Sequence, residues 1–386
     1  MTDRIYLDFN ATTPLAPEVI AAMRPYLEEG IGNPSSLHWA GLPARDAVER
    51  ARSQVASLLG CDATEIVFTS GGTEANNSVL QSLFFSRHAS NQPFHVITSQ
   101  IEHPAVLEPC RFIESLGADV TYLPVDRFGQ VDPADVVTAM RPDTALVSIM
   151  HANNEVGTIQ PLAEITRIAH QHGVLCHTDA AQSVGKIEAD VEVLGVDLLS
   201  LAGHKLYGPK GVGALFVREG IELEPFLRGA GQEAGRRAGT ENVLAIVGLG
   251  TACELAHDAI DDTRIPLLRD EFWLRLQQQF GDRIARNGHP KHSLPNTLNV
   301  SFLGEHGHDM LARLPRIAAS TGSACHAGSS QISPVLAAMD VSQESGAGAI
   351  RFSLGRTTTA EEIHATVSLL EGCLRHSSRS IGSSLS

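Results

Sequence analysis

The sequence predicts an α/β fold, a mainly parallel sheet with helices on both faces, joined to a smaller α+β unit. Three observations predict it. Short apolar runs alternate with helical patterns as far as Ile260, the order that builds parallel sheets. Those runs are apolar throughout rather than alternating, as strands covered on both faces are. Past Ile260 the texture changes to one long helix followed by spaced strands.

The elements follow in order. "EIVFTSGGTEANNSVLQSLFF" reads as strand, glycine turn and helix, and "HVITSQIEHPAVLEPCRFIESLG" repeats that order. "ALVSIMHANNEVG" is a strand running into a polar loop. "LAEITRIAHQHG" is an amphipathic helix, and "VLCHTDAAQS" a strand and loop. "VDLLSLAGHKLYGPKGVGALFV" gives two strands around a loop. "IPLLRDEFWLRLQQQFGDRI" is the long helix. "NTLNVSFLG", "IAASTGSACHAG" and "AIRFSLGR" are the spaced strands, and "TAEEIHATVSLLEGCLRH" is the closing helix. The serine-rich tail "SSRSIGSSLS" is expected to fray. No internal repeat is present.

A chain of 386 residues is long for one small domain, so two domains are expected. A hydrophobic content of 43% and a charged content of 19% are those of a globular protein. The formal charge of −15 argues against a nucleic-acid backbone or an anionic membrane as the main partner. No apolar run is long enough to span a bilayer. The start "MTDRIYLDFNATTP" carries acids and no apolar core segment, so no secretory signal is expected there. The six cysteines (Cys61, Cys110, Cys176, Cys253, Cys325 and Cys373) are scattered. Such usage suits a reduced, cytoplasmic protein and argues against a zinc site made of cysteines.

The polar residues that carry chemistry fall where predicted strands end, which is where open α/β sheets bind ligands. "SGGTEANN" places Gly71, Gly72 and Thr73 at the start of a helix, where free N–H groups attract an anion. "HTDAAQS" places Asp179 just past a buried strand, with Gln182 beyond it; a carboxylate there needs a partner such as a cationic nitrogen. "SLAGHKLYGPKG" holds His204 and Lys205, and a lysine in such a site can act as an amine nucleophile. "IEHPAV" holds His103, which can cover a flat ring or pass a proton. Taken singly, each also fits a structural role: a common glycine turn, a helix-capping aspartate, an exposed turn lysine, a packed histidine.

Read together, they supply an anion cradle, an acid for a ring nitrogen, an amine for an aldehyde and an aromatic cover. Pyridoxal 5'-phosphate needs those four things. A metal-dependent hydrolase using His103, His177, Asp179 and His204 is the rival from another class, but no compact ligand motif such as HExxH supports it. A non-catalytic scaffold that binds partners is a third reading, against which Lys205, Asp179 and Cys325 stand.

From "YLDFNATTPL" to "IRFSLGRTTTAEEI" the sequence resembles the cysteine desulfurases of the NifS/IscS type, within the class V aminotransferases. The motifs that carry the likeness are "GNPSSLH", "TSGGTEANN", "HANNEVG", "HTDAAQ", "GHKLYGPKG", "RAGTEN" and "GSAC". The resemblance implies the fold type I of pyridoxal-phosphate enzymes with a seven-stranded type of sheet. It implies a large cofactor-binding domain over 12–260, and a small domain from 1–11 and 261–386 that carries a catalytic cysteine loop at about 319–334. It implies that Lys205 binds the cofactor's aldehyde, that Asp179 faces its pyridine nitrogen and Gln182 its ring hydroxyl oxygen, and that His103 stacks on the ring. Gly72, Thr73 and His204 hold the phosphate, and Thr240 reaches the phosphate of the other subunit of a homodimer. Asn153 lies by the cofactor and, with Asn33 and Arg351, takes the substrate carboxylate, a task that suits the arginine fork.

The implied reaction converts L-cysteine to L-alanine. Lys205 moves the Cα proton, and Cys325 captures the sulfur as a persulfide for an acceptor such as an iron–sulfur scaffold or a thiolation protein. The loop "ASTGSACHAGSSQ" is rich in small residues, as a travelling thiol requires. His326 follows Cys325, and Cys-His is also found in selenocysteine lyases, the alternative on the same fold. His326 or His103 could assist proton traffic. Three departures from the family pattern stand out: Ala202 where a phosphate-binding Ser or Thr is usual, Ala234 where an arginine is usual, and Ala230 in place of a glycine.

Overall fold

The computed structural model describes residues 4–260, 263–321 and 332–382. Among the described residues twelve strands run in chain order: β1 (Ile5–Tyr6), β2 (Ile66–Thr69), β3 (His95–Ser99), β4 (Asp119–Leu123), β5 (Thr144–Ser148), β6 (Leu175–Asp179), β7 (Leu198–Ala202), β8 (Gly213–Val217), β9 (Ile284–Asn287), β10 (Thr297–Phe302), β11 (Ile317–Ala318) and β12 (Ala349–Ser353). A seven-stranded sheet has the order β2-β8-β7-β6-β5-β3-β4. The strands from β7 through β6, β5 and β3 to β4 pair in parallel, and β8 runs antiparallel to both β7 and β2.

The apolar runs are strands because both sides of the sheet are covered. Every residue of β2, β3, β5, β7 and β8 is buried. Successive residues feed opposite cores, as the two-residue period of a strand demands. Leu146, Leu198 and Leu215 pack with Val79, Leu80 and Phe84 of the helix Gly72–Ala89 and with Ile113 of Pro104–Ser115. Val147, Leu199 and Phe216 pack on the other side with Val55 and Leu59 of Gly41–Leu59, Ile165 of Leu162–Gln171 and Leu249 of Val243–Ala259.

A second, antiparallel sheet has the order β12-β10-β9, and β1 pairs in parallel with β11. Their core gathers Leu7, Phe272, Phe302, Phe352 and Leu370. Phe272 meets Phe352 edge to face at 5.1 Å, a favoured ring geometry. After Leu7 the chain start crosses to the larger sheet, where the Thr13 N–H donates to the His204 carbonyl at 2.9 Å.

Two expectations are corrected. The strand expected within "IAASTGSACHAG" is only the two-residue β11, and 322–331 lie outside the described residues. The closing helix runs Ala360–Gly382, into the serine-rich stretch expected to fray. Serine is only mildly unfavourable in a helix, and no proline or glycine interrupts that stretch before Gly382.

Candidate active site

Parallel strands deliver their carboxyl ends to one edge of the sheet. Lys205 ends the short turn Gly203–Lys205 that follows β7. Its Nζ donates to the carbonyls of Asn10 at 2.7 Å and Ala11 at 2.9 Å, both on the chain start. Burial pushes its pKa down to about 8; the Arg351 charge adds to this and the Asp179 and Asp8 carboxylates oppose it. Lys205 is therefore an amine that is easily made neutral, as nucleophilic and base chemistry require.

Asp179 closes β6 and is buried. Its Oδ2 accepts from Asn76 Nδ2 at 2.7 Å and its Oδ1 from the Ala181 N–H at 2.9 Å. Asn76 was not singled out in the sequence. The signal was its position one helical turn after Gly72, on the side that faces β6. The Asn76 Oδ1 atom is buried with no protein partner.

His103 caps the helix Pro104–Ser115, its Nδ1 accepting from the Ala105 N–H at 3.1 Å. That bond leaves the ring proton on Nε2. The residue is exposed, yet the protein around the ring partly desolvates it. Desolvation lowers its pKa, Lys205 adds to this, and Asp179 opposes it. Lys205, Asp179 and His103 are thus close enough to feel one another's charge. His204 Nδ1 lies 3.1 Å from Thr12 Oγ1, and burial, with Lys205 and Lys210, pulls its pKa down to about 4. It stays neutral and can donate or accept a hydrogen bond.

The anion cradle is the start of the helix Gly72–Ala89. Gly71 has φ +150° and nothing within 4 Å of where a Cβ would stand. A Cβ on Gly72 would touch the Cβ atoms of Ala202 at 3.6 Å and Ala181 at 3.9 Å. Thr73, the second residue of that helix, is exposed. Ala202 therefore stands beside the start of that helix, at the position where the resemblance leads one to expect a hydroxyl.

Gln182 is buried; its Nε2 donates to the Asn10 carbonyl at 3.0 Å, the same oxygen that holds Lys205. Arg351, on β12, is buried and donates to the Asn154 carbonyl at 2.9 Å and to Asp8 at 2.8 Å. Its Nε is buried without a partner, a donor available to a carboxylate. Asn153 is turned into its own loop. Its Oδ1 accepts from the Glu155 and Val156 N–H groups, and its Nδ2 donates to the Ile101 carbonyl. Its second Nδ2 hydrogen meets only the Met150 sulfur at 3.5 Å.

Asn33 and Thr240 are exposed on loops, and the described contacts do not join them to the other site residues. His177 does not reach the edge at all: both ring nitrogens are spent inside the sheet, on Ser148 at 2.8 Å and Ser200 at 3.0 Å. Cys325 and His326 lie outside the described residues.

The model of the aminotransferase class-V family matches residues 5–366. A protein described as cysteine desulfurase IscS from Dictyoglomus turgidum is 48% identical over 96% of this chain and 94% of its own length. A solved structure described as a NifS-like protein has a TM-score of 0.90 at 37% identity, covering 97% of this chain and 100% of its own. Another, SspA in complex with cysteine, has a TM-score of 0.80 at 39% identity, covering 91% and 98%.

Proposed function

The chain belongs to the class-V aminotransferase family as one of its cysteine desulfurases, and we propose that it moves the sulfur of L-cysteine onto Cys325 and releases L-alanine. The observation that carries this reading is the amine of Lys205, shifted to about 8 and within the charge field of Asp179 and Arg351.

The residues present fit pyridoxal 5'-phosphate. A glycine cradle opens at a helix start, Asn76 keeps a buried acceptor beside Asp179 without a protein donor, and His103 offers a neutral ring. When bound, the cofactor supplies an aldehyde for amines and an electron sink conjugated to the substrate's Cα. Thr73, Gly72 and His204 would hold its phosphate, Asp179 its ring nitrogen, Gln182 its ring hydroxyl oxygen, and Lys205 its aldehyde. His103 would cover the ring.

Arg351 takes the substrate carboxylate through its free Nε, with Asn153 and Asn33 alongside. Lys205, once neutral, takes the proton from Cα. Asp179 holds the proton on the nitrogen it faces, and its own orientation is set by Asn76 and the Ala181 N–H. The thiolate of Cys325 attacks the substrate sulfur. An S–S bond forms, the Cβ–S bond breaks, and its electron pair stays with the carbon fragment, which takes up a proton and leaves as alanine. The persulfide then passes to an acceptor, an iron–sulfur scaffold or a thiolation protein, in the cytoplasm.

A large unit over 12–260 and a small unit from 1–11 and 261–386 belong to this reading, as does a homodimer in which Thr240 completes the partner's phosphate site. Thr240 is exposed, and Leu27, Ile31, Leu37 and Trp39, around Asn33, are exposed apolar side chains of the kind a partner covers. Among the described residues no helix is long and apolar enough to cross a membrane.

The test is alanine release from cysteine and from selenocysteine by the pyridoxal-phosphate-loaded protein. Cys325→Ala is expected to lower the first by about 100-fold or more. Retention of the second alone would move the assignment to a selenocysteine lyase. A protein that takes up no visible band from the cofactor, or whose band resists borohydride, sinks the whole reading.

A further inference from the structure

Lys186 is a second lysine beside the site, four residues after Gln182, and borders the same cleft of about 840 Å³ as Lys205. Its Nζ donates to Gln182 Oε1 at 2.7 Å and to Asn10 Oδ1 at 3.1 Å. Burial holds its pKa well below the usual lysine range, and the charges of Lys205 and Arg351 add to this. The two bonds are the two that a neutral amine can donate.

The orientation of these amides is fixed by backbone carbonyls, which can only accept, and by the Thr297 hydroxyl, whose proton goes to Asn296 Oδ1. Asn296 Nδ2 donates to the Leu354 carbonyl and to Asn10 Oδ1, both at 3.0 Å. Asn10 Nδ2 donates to the Asn154 carbonyl at 3.3 Å and to Thr297 Oγ1 at 2.8 Å. Asn10 Oδ1 is therefore the acceptor that faces Lys186. The Gln182 Nε2 atom must meet the Asn10 carbonyl, so Oε1 must meet Lys186. A flipped amide sets two oxygens against each other at Asn10, and the Lys186 N–H loses its acceptor.

We propose that Lys186 is a positioning residue that, with Asn10, holds the Gln182 amide with its second N–H free for the ring hydroxyl oxygen of the cofactor. The proposal rests on the reading of Gln182 given above. An N–H on that oxygen stabilises its anionic form, so its loss raises the pH at which the protonated form prevails. The charges that act on Lys186 are those of Lys205 and Arg351, and Lys205 is in turn acted on by Asp179 and Asp8.

The experiment is a double-mutant cycle on the loaded protein, read as the pH midpoint of its visible band and as cofactor affinity by equilibrium dialysis. Lys186→Met and Gln182→Met are each expected to raise the midpoint and weaken cofactor binding about tenfold, the cost of one buried hydrogen bond. The double variant is expected to match Gln182→Met alone. Additive shifts, or a wild-type midpoint in Lys186→Met, overturn the proposal. A wild-type midpoint in Gln182→Met overturns instead the reading of Gln182. Should Lys186→Met not fold, Lys186→Leu and its double with Gln182→Met decide by the same criterion.

Discussion

Inside the seven-stranded sheet, histidines spend both ring nitrogens on neighbouring strands; at its carboxyl edge they spend one. His95 on β3 lies 2.8 Å from Thr144 on β5 and 2.9 Å from Thr121 on β4. His177 on β6 bridges β5 and β7 in the same way, through Ser148 and Ser200. Among the described residues, His103 and His204, at the edge, each have only Nδ1 engaged, with the Ala105 N–H and with Thr12. The interior pairs hold strands together. The edge residues keep a ring nitrogen for a ligand, and Arg351 likewise keeps its buried Nε unspent. At this edge the unspent donors and ring nitrogens are groups that a ligand can take up.

The strongest test of that division is Lys205→Ala. Lys205 holds only two carbonyls of the chain start, so its loss is expected to leave the melting temperature within a few degrees. Alanine formation from cysteine is expected to fall by about 10⁴-fold, because on the proposed reading one residue supplies both the aldehyde's partner and the base. A variant that is unfolded by circular dichroism would place Lys205 with the interior residues and break the comparison.

His177→Leu tests the other half. It leaves the hydroxyls of Ser148 and Ser200 buried without their partner, at a cost of about 2–4 kcal/mol by urea titration. Its kcat/KM, corrected for the folded fraction, is expected to stay within about twofold of wild type, since the ring touches no site residue. Burial pulls the His177 pKa down to about 3 in the fold, against about 6.5 in the unfolded chain. The unfolded chain therefore binds more protons as pH falls through 6.5, and stability declines from there towards about pH 3. His151, pulled down to about 4 by burial, contributes in the same direction. The leucine variant should show a shallower acid decline. An unchanged slope would mean that His177 is not the group being titrated.

This division was only half legible in the sequence. The alternation of strands and helices along the chain and the strand ends that gather polar residues could be read, because buried parallel strands are apolar throughout and their polar residues cluster where they end. Lys205, Asp179 and His103 stand out for that reason. His177 could not be told from His103 by type or by position near a strand end, so it entered the rival metal set. What separates them is the Ser148 and Ser200 hydroxyls, which come from strands distant in sequence. Asn10, Asn76 and Lys186 were missed for the same reason. Each acts through a hydrogen bond to another element, and a local pattern can mark a position, as it does for Asn76 one turn after Gly72, but not the distant partner.

The smallest expected effect comes from Ala202→Ser, and its sign should differ between the empty and the loaded protein. Ala202 is 3% exposed, and its Cβ lies 3.6 Å from where a Gly72 Cβ would stand. A hydroxyl added there faces the start of the helix Gly72–Ala89, where an anion is favoured. Without the cofactor it is a buried polar group short of a partner, and the variant is expected to lose about 1 kcal/mol of stability. With the phosphate in place it gains a charge-assisted hydrogen bond, and cofactor affinity is expected to rise about tenfold. Thermal melts with and without pyridoxal 5'-phosphate read both signs at once. A melting temperature that falls equally in both states would remove Ala202 from the cradle and assign the phosphate to another part of the edge.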